Sequence, residues 1–202
     1  MEIDPATLSR RDGYFLMISA IVPRPIAFVT TKGRHGGTNA APFSYFTGVS
    51  SSPPSLLICS GRRRDGVKDT ERNIVETGEF VVNVVVEEMM DAVVIAGADH
   101  PPDVSEIDLA GLRTVPGTKV AAPRVLDSPV NLECRLLQSI DVAGAAVMAG
   151  EVVWMHVRDD LLRPSAHAGI PLIDAARLRP VARLGGDLYA RMGEIFERKR
   201  TR

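Results

Sequence analysis

The chain has 202 residues, 45% of them hydrophobic and 24% charged, which predicts one globular domain over 1–202 that needs no disulfide or metal to fold. Twenty-four basic against twenty-five acidic residues leave a net charge of −1, which argues against general affinity for nucleic acid or an anionic membrane surface. No apolar run approaches the roughly 20 residues that span a bilayer. The acidic start Met1-Glu2-Ile3-Asp4-Pro5 lacks the pattern of a signal peptide, so a cytoplasmic protein is expected. Cys59 and Cys134 lie far apart in apolar segments and read as two buried thiols.

In chain order, Leu8, Phe15, Ile18 and Val22 fall near helical spacing and predict an amphipathic helix over 7–19, ended by Pro23 and Pro25. Residues 26–31 (IAFVTT) predict a buried strand, 33–37 a turn, and 38–44 the returning hairpin partner. Residues 50–54 read as a loop before a strand over 55–60, and 61–67 as a charged loop carrying Arg62, Arg63 and Arg64. Asp69 or Thr70 is expected to cap a short helix to Thr77, with Gly78 at its stop. Residues 80–86 predict a strand covered on both faces, and 87–98 a helix with Met89, Val93 and Gly97 on one face. The proline-rich stretch 99–128 reads as connections with a short helix near 104–109. Two long strands are expected over 130–140 and 145–157, and a charged helix over 187–200. Hairpin-like strand spacing without regular βαβ alternation predicts a mainly β (α+β) antiparallel barrel with peripheral helices.

The chemistry of most enzyme classes is missing. No G-x-G-x-x-G follows a strand, and the near P-loop from Gly61 to Lys68 has Val67 where that motif needs lysine. His35, His100, His156 and His167 show no metal-ligand spacing, and Ser50-Ser51-Ser52 lacks the frame of a nucleophile elbow. A chain with binding signals and no declared catalytic side chain borrows its chemistry from a cofactor. Lys68-Asp69-Thr70 opens a helix, where free N–H groups and a positive charge suit an anion; an ordinary capped surface helix reads the same way. From Asn39 to Tyr45, small residues surround Pro42 and would let a flat ligand approach the backbone, with Asn39 and Ser44 to bind it; the alternative is an edge strand entering a loop.

Those segments together carry a resemblance. Residues 23–31 (PRPIAFVTT), 39–44 (NAAPFS), 52–54 (SPP), 68–70 (KDT) with Asn73-Ile74, and 77–83 (TGEFVVN) resemble the flavin reductase-like family of FMN-binding split barrels. Residues 110–112, 128–134, 150–152 and 183–186 with Tyr189 continue it, so the likeness covers about 10–197. It implies a six-stranded antiparallel split barrel and a homodimer with FMN near the subunit interface. By the same resemblance, Asn39, Ala40, Ala41, Phe43, Ser44 and Tyr45 line the flavin ring and ribityl chain. Cys59 and Ser60, with Lys68, Asp69 and Thr70, hold the ribityl-phosphate side. Arg183, Gly185 and Tyr189 close over the site, with Arg24 close by. The expected activity is that of an oxidoreductase passing hydride from NAD(P)H to flavin, serving a partner monooxygenase where the flavin exchanges freely. The alternative is a non-catalytic FMN electron carrier. Arg62–Arg64 match no motif and read as a solvated loop or a nucleotide-phosphate contact.

Overall fold

The computed structural model describes residues 1–61, 66–101, 104–165 and 169–199. Helix α1 (Arg10–Ala20) starts at Ser9, whose hydroxyl accepts from Asp12 N–H and donates to the Asp12 carboxylate. Four strands and a fifth follow: β1 (Arg24–Pro25), β2 (Ala27–Lys32), β3 (Thr38–Phe43), β4 (Phe46–Ser51) and β5 (Pro54–Gly61). Then come α2 (Asp69–Thr77), β6 (Glu79–Val84), α3 (Met90–Ala96), α4 (Glu106–Leu109) and the short pair β7 (Thr114–Val115) and β8 (Arg124–Val125). The long strands β9 (Val130–Val142) and β10 (Ala145–Val157) turn through Ala143 and Gly144, both at positive φ. Small elements close the chain: β11 (Leu162–Arg163), β12 (Leu172–Ile173), α5 (Ala175–Leu178), β13 (Ala182–Arg183) and β14 (Tyr189–Ala190).

The main sheet has seven antiparallel strands in the order β3-β2-β6-β9-β10-β5-β4, one more than the six the resemblance implies. The addition is β4, whose small and polar residues gave no strand pattern; it pairs with β5 around a tight turn at 52–53. The sheet curls on itself: Phe43 of β3 shares one apolar cluster with Leu56 and Ile58 of β5 and with Phe80, Cys134 and Met148. Gly150 permits this closure, since a Cβ there would stand 2.5 Å from Phe80. The opposite face of β2 and β3, through Phe28 and Ala40, packs on Met89, Val93 and Ala96 and on Ile107 of α4. Strands β2 and β6 are therefore covered on both sides, as their unbroken apolar runs predict. Asn83 ties the layers together: its amide donates to Phe28 O and Thr30 Oγ1, and its oxygen accepts from Val125 N and Asn131.

Four expectations change. The first turn at 87–89 is a 3-10 turn, and the α-helix proper begins at Met90. Residue Lys68, in extended conformation, is the N-cap of α2 and makes no side-chain cap bond; Asp69 is engaged with Arg72 and Thr70 with Asn39. No helix forms over 187–199; this segment makes β14 and then runs without regular structure, its apolar residues offering no stripe to pack. Finally, α1 buries only Ile18, while Phe15 and Val22 stay exposed. The triple arginine, together with His167, lies outside the described residues.

Candidate functional site

Strand β3 places alternating small residues at the surface between α2, α3 and α4, and a groove follows from that packing. At one end is a cavity of about 400 Å³ lined by Tyr14, Pro42, Ser44, Gly97, Arg183 and Tyr189, among others. Pro42, Gly97 and Ala98 also line the next space, a cleft of only about 70 Å³ whose other walls include Asn39, Ala41, Lys68, Thr70 and Glu106. Beyond it, Asn39, Asp69 and Glu106 form the near wall of a third space of about 350 Å³ under the 33–37 turn. The backbones approach closely at the junction: a Cβ on Gly97 would meet Pro42 Cγ at 3.0 Å.

Eight of the expected site residues line this groove: Asn39, Ala41, Ser44, Lys68, Asp69, Thr70, Arg183 and Tyr189. Arg183 and Tyr189 face each other across the β13–β14 pair, the guanidinium 4.4 Å from the ring centroid and hydrogen-bonded to the hydroxyl. Lys68 carries its ammonium 5.7 Å from the Phe43 ring centroid at the N-terminus of α2.

The other seven do not line it. Ala40 and Phe43 are buried in the two apolar clusters beneath it. Arg24 is buried behind the wall, where it donates to Ile18 O and Ile21 O at the end of α1, to Leu184 O and to Ser44 Oγ. It thus fixes the ends of α1 and β13 against the loop after β3. Gly185 packs on α1, where a Cβ would meet Ser19 Oγ at 2.9 Å. Tyr45 is exposed at the β3–β4 corner and its carbonyl accepts from Cys59 N. Cys59 is half-buried, and burial pushes its thiol up. Ser60 is fully buried with its hydroxyl unpartnered.

Glu106 was not legible beforehand. Serine at the N-cap places it in the first turn of α4, which signals the turn but not the face. The Asn39 amide is satisfied in one orientation: its nitrogen donates to the Glu106 carboxylate at 2.9 and 3.1 Å, and its oxygen accepts from Thr70 Oγ1 at 2.8 Å and from Ala40 N at 3.3 Å. Burial raises the Glu106 carboxyl above the usual range, and the Asp69 charge adds to it, against the Ala40 N–H and its own backbone N–H.

The curled antiparallel sheet with a helix-walled groove at its flank is a split barrel. The family model for the flavin reductase like domain matches residues 18–179, and the chain belongs to that family. The chain is similar to nitrilotriacetate monooxygenase component B from Bacillus cereus, with a TM-score of 0.91, 35% identity and 98% of each chain covered. It is also similar to the 2-nitrobenzoate 2-nitroreductase of Pseudomonas fluorescens, with a TM-score of 0.87, 31% identity, and 100% of this chain and 96% of that one covered. A curated relative, the flavin reductase (NADH) of Kitasatospora aureofaciens, is 30% identical over 74% of each chain. The family makes the protein a flavin-handling oxidoreductase.

Proposed function

We propose that the protein is an NAD(P)H-dependent flavin reductase that holds FMN in the groove between Tyr189 and Lys68. The carrying observation is the sequence of spaces: a 400 Å³ cavity walled by small residues and two tyrosines, leading through a narrow polar cleft to the lysine at the start of α2. A flat ring fits the first, a flexible chain the second, and a phosphate the lysine with the first-turn N–H groups. The residues present therefore suit the cofactor. Bound flavin supplies the capacity to take a hydride from nicotinamide and pass electrons on. This chain's own side chains bind and orient. Pro42, Gly97 and Ala98 let the ring lie close to the backbone, Ser44 offers a hydroxyl to its edge, and Arg183 stacked on Tyr189 caps the open end. No side chain in the groove is placed as a proton donor by geometry, and none is assigned that role.

Nicotinamide needs one open face of the ring at near-contact distance, which small groove walls allow. Anaerobic NADH or NADPH should bleach the bound flavin, and oxygen should restore the colour; a flavin reduced by dithionite but by neither nicotinamide identifies a carrier and overturns the reductase reading. Similarity to a monooxygenase component B supports reduced flavin being handed to a partner oxygenase, in which case free FMN raises nicotinamide oxidation in the steady state. A homodimer is the proposed state, because α1 exposes Tyr14 (55%) and Met17 (52%) beside the groove. Among the described residues no helix is long and apolar enough to cross a membrane.

A further inference from the structure

The narrow middle of the groove has a charge balance that a phosphate site alone would not call for. Three carboxylates, those of Asp69, Asp99 and Glu106, face one ammonium, that of Lys68, around a space of about 70 Å³. With Asp69 paired to Arg72, the lining still holds the Asp99 and Glu106 carboxylates against the one Lys68 ammonium, which disfavours a dianion inside the cleft, and a flat ring would not fit. A slim neutral chain bearing hydroxyl groups suits both limits, because hydroxyls donate to carboxylates and accept from ammonium and amide groups.

Glu106 is the best placed of the three to read such a chain. It stands where the cleft meets the third space and lines both. Its protein donors are the Asn39 amide, the Ala40 N–H and its own backbone N–H, and an ionised carboxylate accepts about four hydrogen bonds, so one acceptor position remains toward the cleft. Asn39 bonds both Thr70 and Glu106, so the three form one polar wall with Asn39 at its centre. Asp69, by contrast, is engaged with Arg72.

We infer that Glu106, held by Asn39 and Thr70, is a polyol-reading residue that accepts hydrogen bonds from the ribityl hydroxyls of the flavin, with the phosphate lying at the cleft mouth by Lys68. The inference rests on the flavin reading above and names a contact that reading does not contain. It makes the chain discriminate flavins by their side chain as well as by their phosphate.

Three flavins titrated into the full chain by fluorescence test it: lumiflavin, which has the ring alone, riboflavin, which adds the polyol, and FMN, which adds the phosphate. The wild-type protein should bind riboflavin about tenfold or more tighter than lumiflavin, as for a charge-assisted hydrogen bond. Glu106→Gln, which keeps a neutral acceptor, should weaken riboflavin about fivefold and Glu106→Ala about tenfold, with lumiflavin unchanged. FMN should lose less than riboflavin, because removing the carboxylate also removes repulsion from the phosphate. Equal losses for lumiflavin and riboflavin would show that Glu106 only shapes the groove and would overturn the inference. So would a wild-type protein that binds lumiflavin as tightly as riboflavin, a result that needs no variant to fold. Failure of all three flavins to bind would instead remove the flavin reading itself.

Discussion

Glu133 on β9 is wholly buried and accepts from the N–H groups of Thr118, Lys119 and Val120 and from His156 at 2.6 Å. Glu106 on α4 is half-buried and accepts from the Asn39 amide, the Ala40 N–H and its own backbone N–H, with the Asp69 carboxylate nearby. Burial works on both in the same sense, yet the outcomes are opposite. At Glu133 the Thr118 and Lys119 N–H groups and the His156 ring outweigh burial and hold the carboxyl below its usual range, whereas at Glu106 burial wins and the carboxyl rises. A carboxylate whose acceptors are all used clasps a loop to the sheet. One at the wall of a groove, where burial outweighs its donors, is the group proposed above to meet a ligand's hydroxyls.

That contrast can be broken by removing each group. Glu133→Ala strands three backbone N–H groups and should cost about 3 kcal/mol, which lowers Tm by about 6–12 °C in a chain of this size; calorimetry checks it. The pH dependence has a definite sign. Because the folded pKa of Glu133 lies below the unfolded value of about 4.3, its contribution is present above that value and lost as pH falls through the folded one. The wild-type Tm should therefore fall more steeply on acidification than that of Glu133→Gln. For Glu106 the folded pKa is raised, so its ionisation opposes folding as pH rises, and Glu106→Gln should leave the ligand-free Tm at pH 7 unchanged or higher.

The groove predicts smaller effects. Lys68→Ala should weaken FMN by about 1.5–3 kcal/mol, roughly ten- to a hundredfold, and leave riboflavin nearly unchanged; a fluorescence titration that finds equal losses places the phosphate elsewhere. Gly97→Ala puts a methyl 3.0 Å from Pro42 Cγ and 3.2 Å from Val93 O. It should cost about 1 kcal/mol of flavin affinity by moving the wall, with far-ultraviolet circular dichroism unchanged.

Much of this was legible in the sequence, for reasons that differ by region. The strands β2 and β6 announce themselves through short β-branched runs buried on both faces, and β9 and β10 through long stretches rich in apolar residues on either side of a turn. Strand β4 does not, since an edge strand of small polar residues carries no such pattern. The 187–199 stretch is charged enough to suggest a helix, but without an apolar stripe the charges specify nothing. Among site residues, those on β3 and at the start of α2 could be placed by motif. Arg24 spends its donors on carbonyls of α1 and of Leu184, a tertiary fact no motif contains. Glu106 arrives from a proline-rich connection through packing of α4 on β3, and only the fold reveals which way it faces.

The central claim is that the groove from Tyr189 to Lys68 holds the flavin, and the crystal structure of the chain grown with FMN tests it most directly. The ring should lie against Pro42, Gly97 and Ala98, the polyol beside Glu106, and the phosphate within hydrogen-bond reach of Lys68. The molecule has a larger cavity, about 580 Å³, between the outer side of α3 and Arg158, Arg177 and Arg191. FMN seated there, with the Asn39–Ser44 groove empty, would contradict the account.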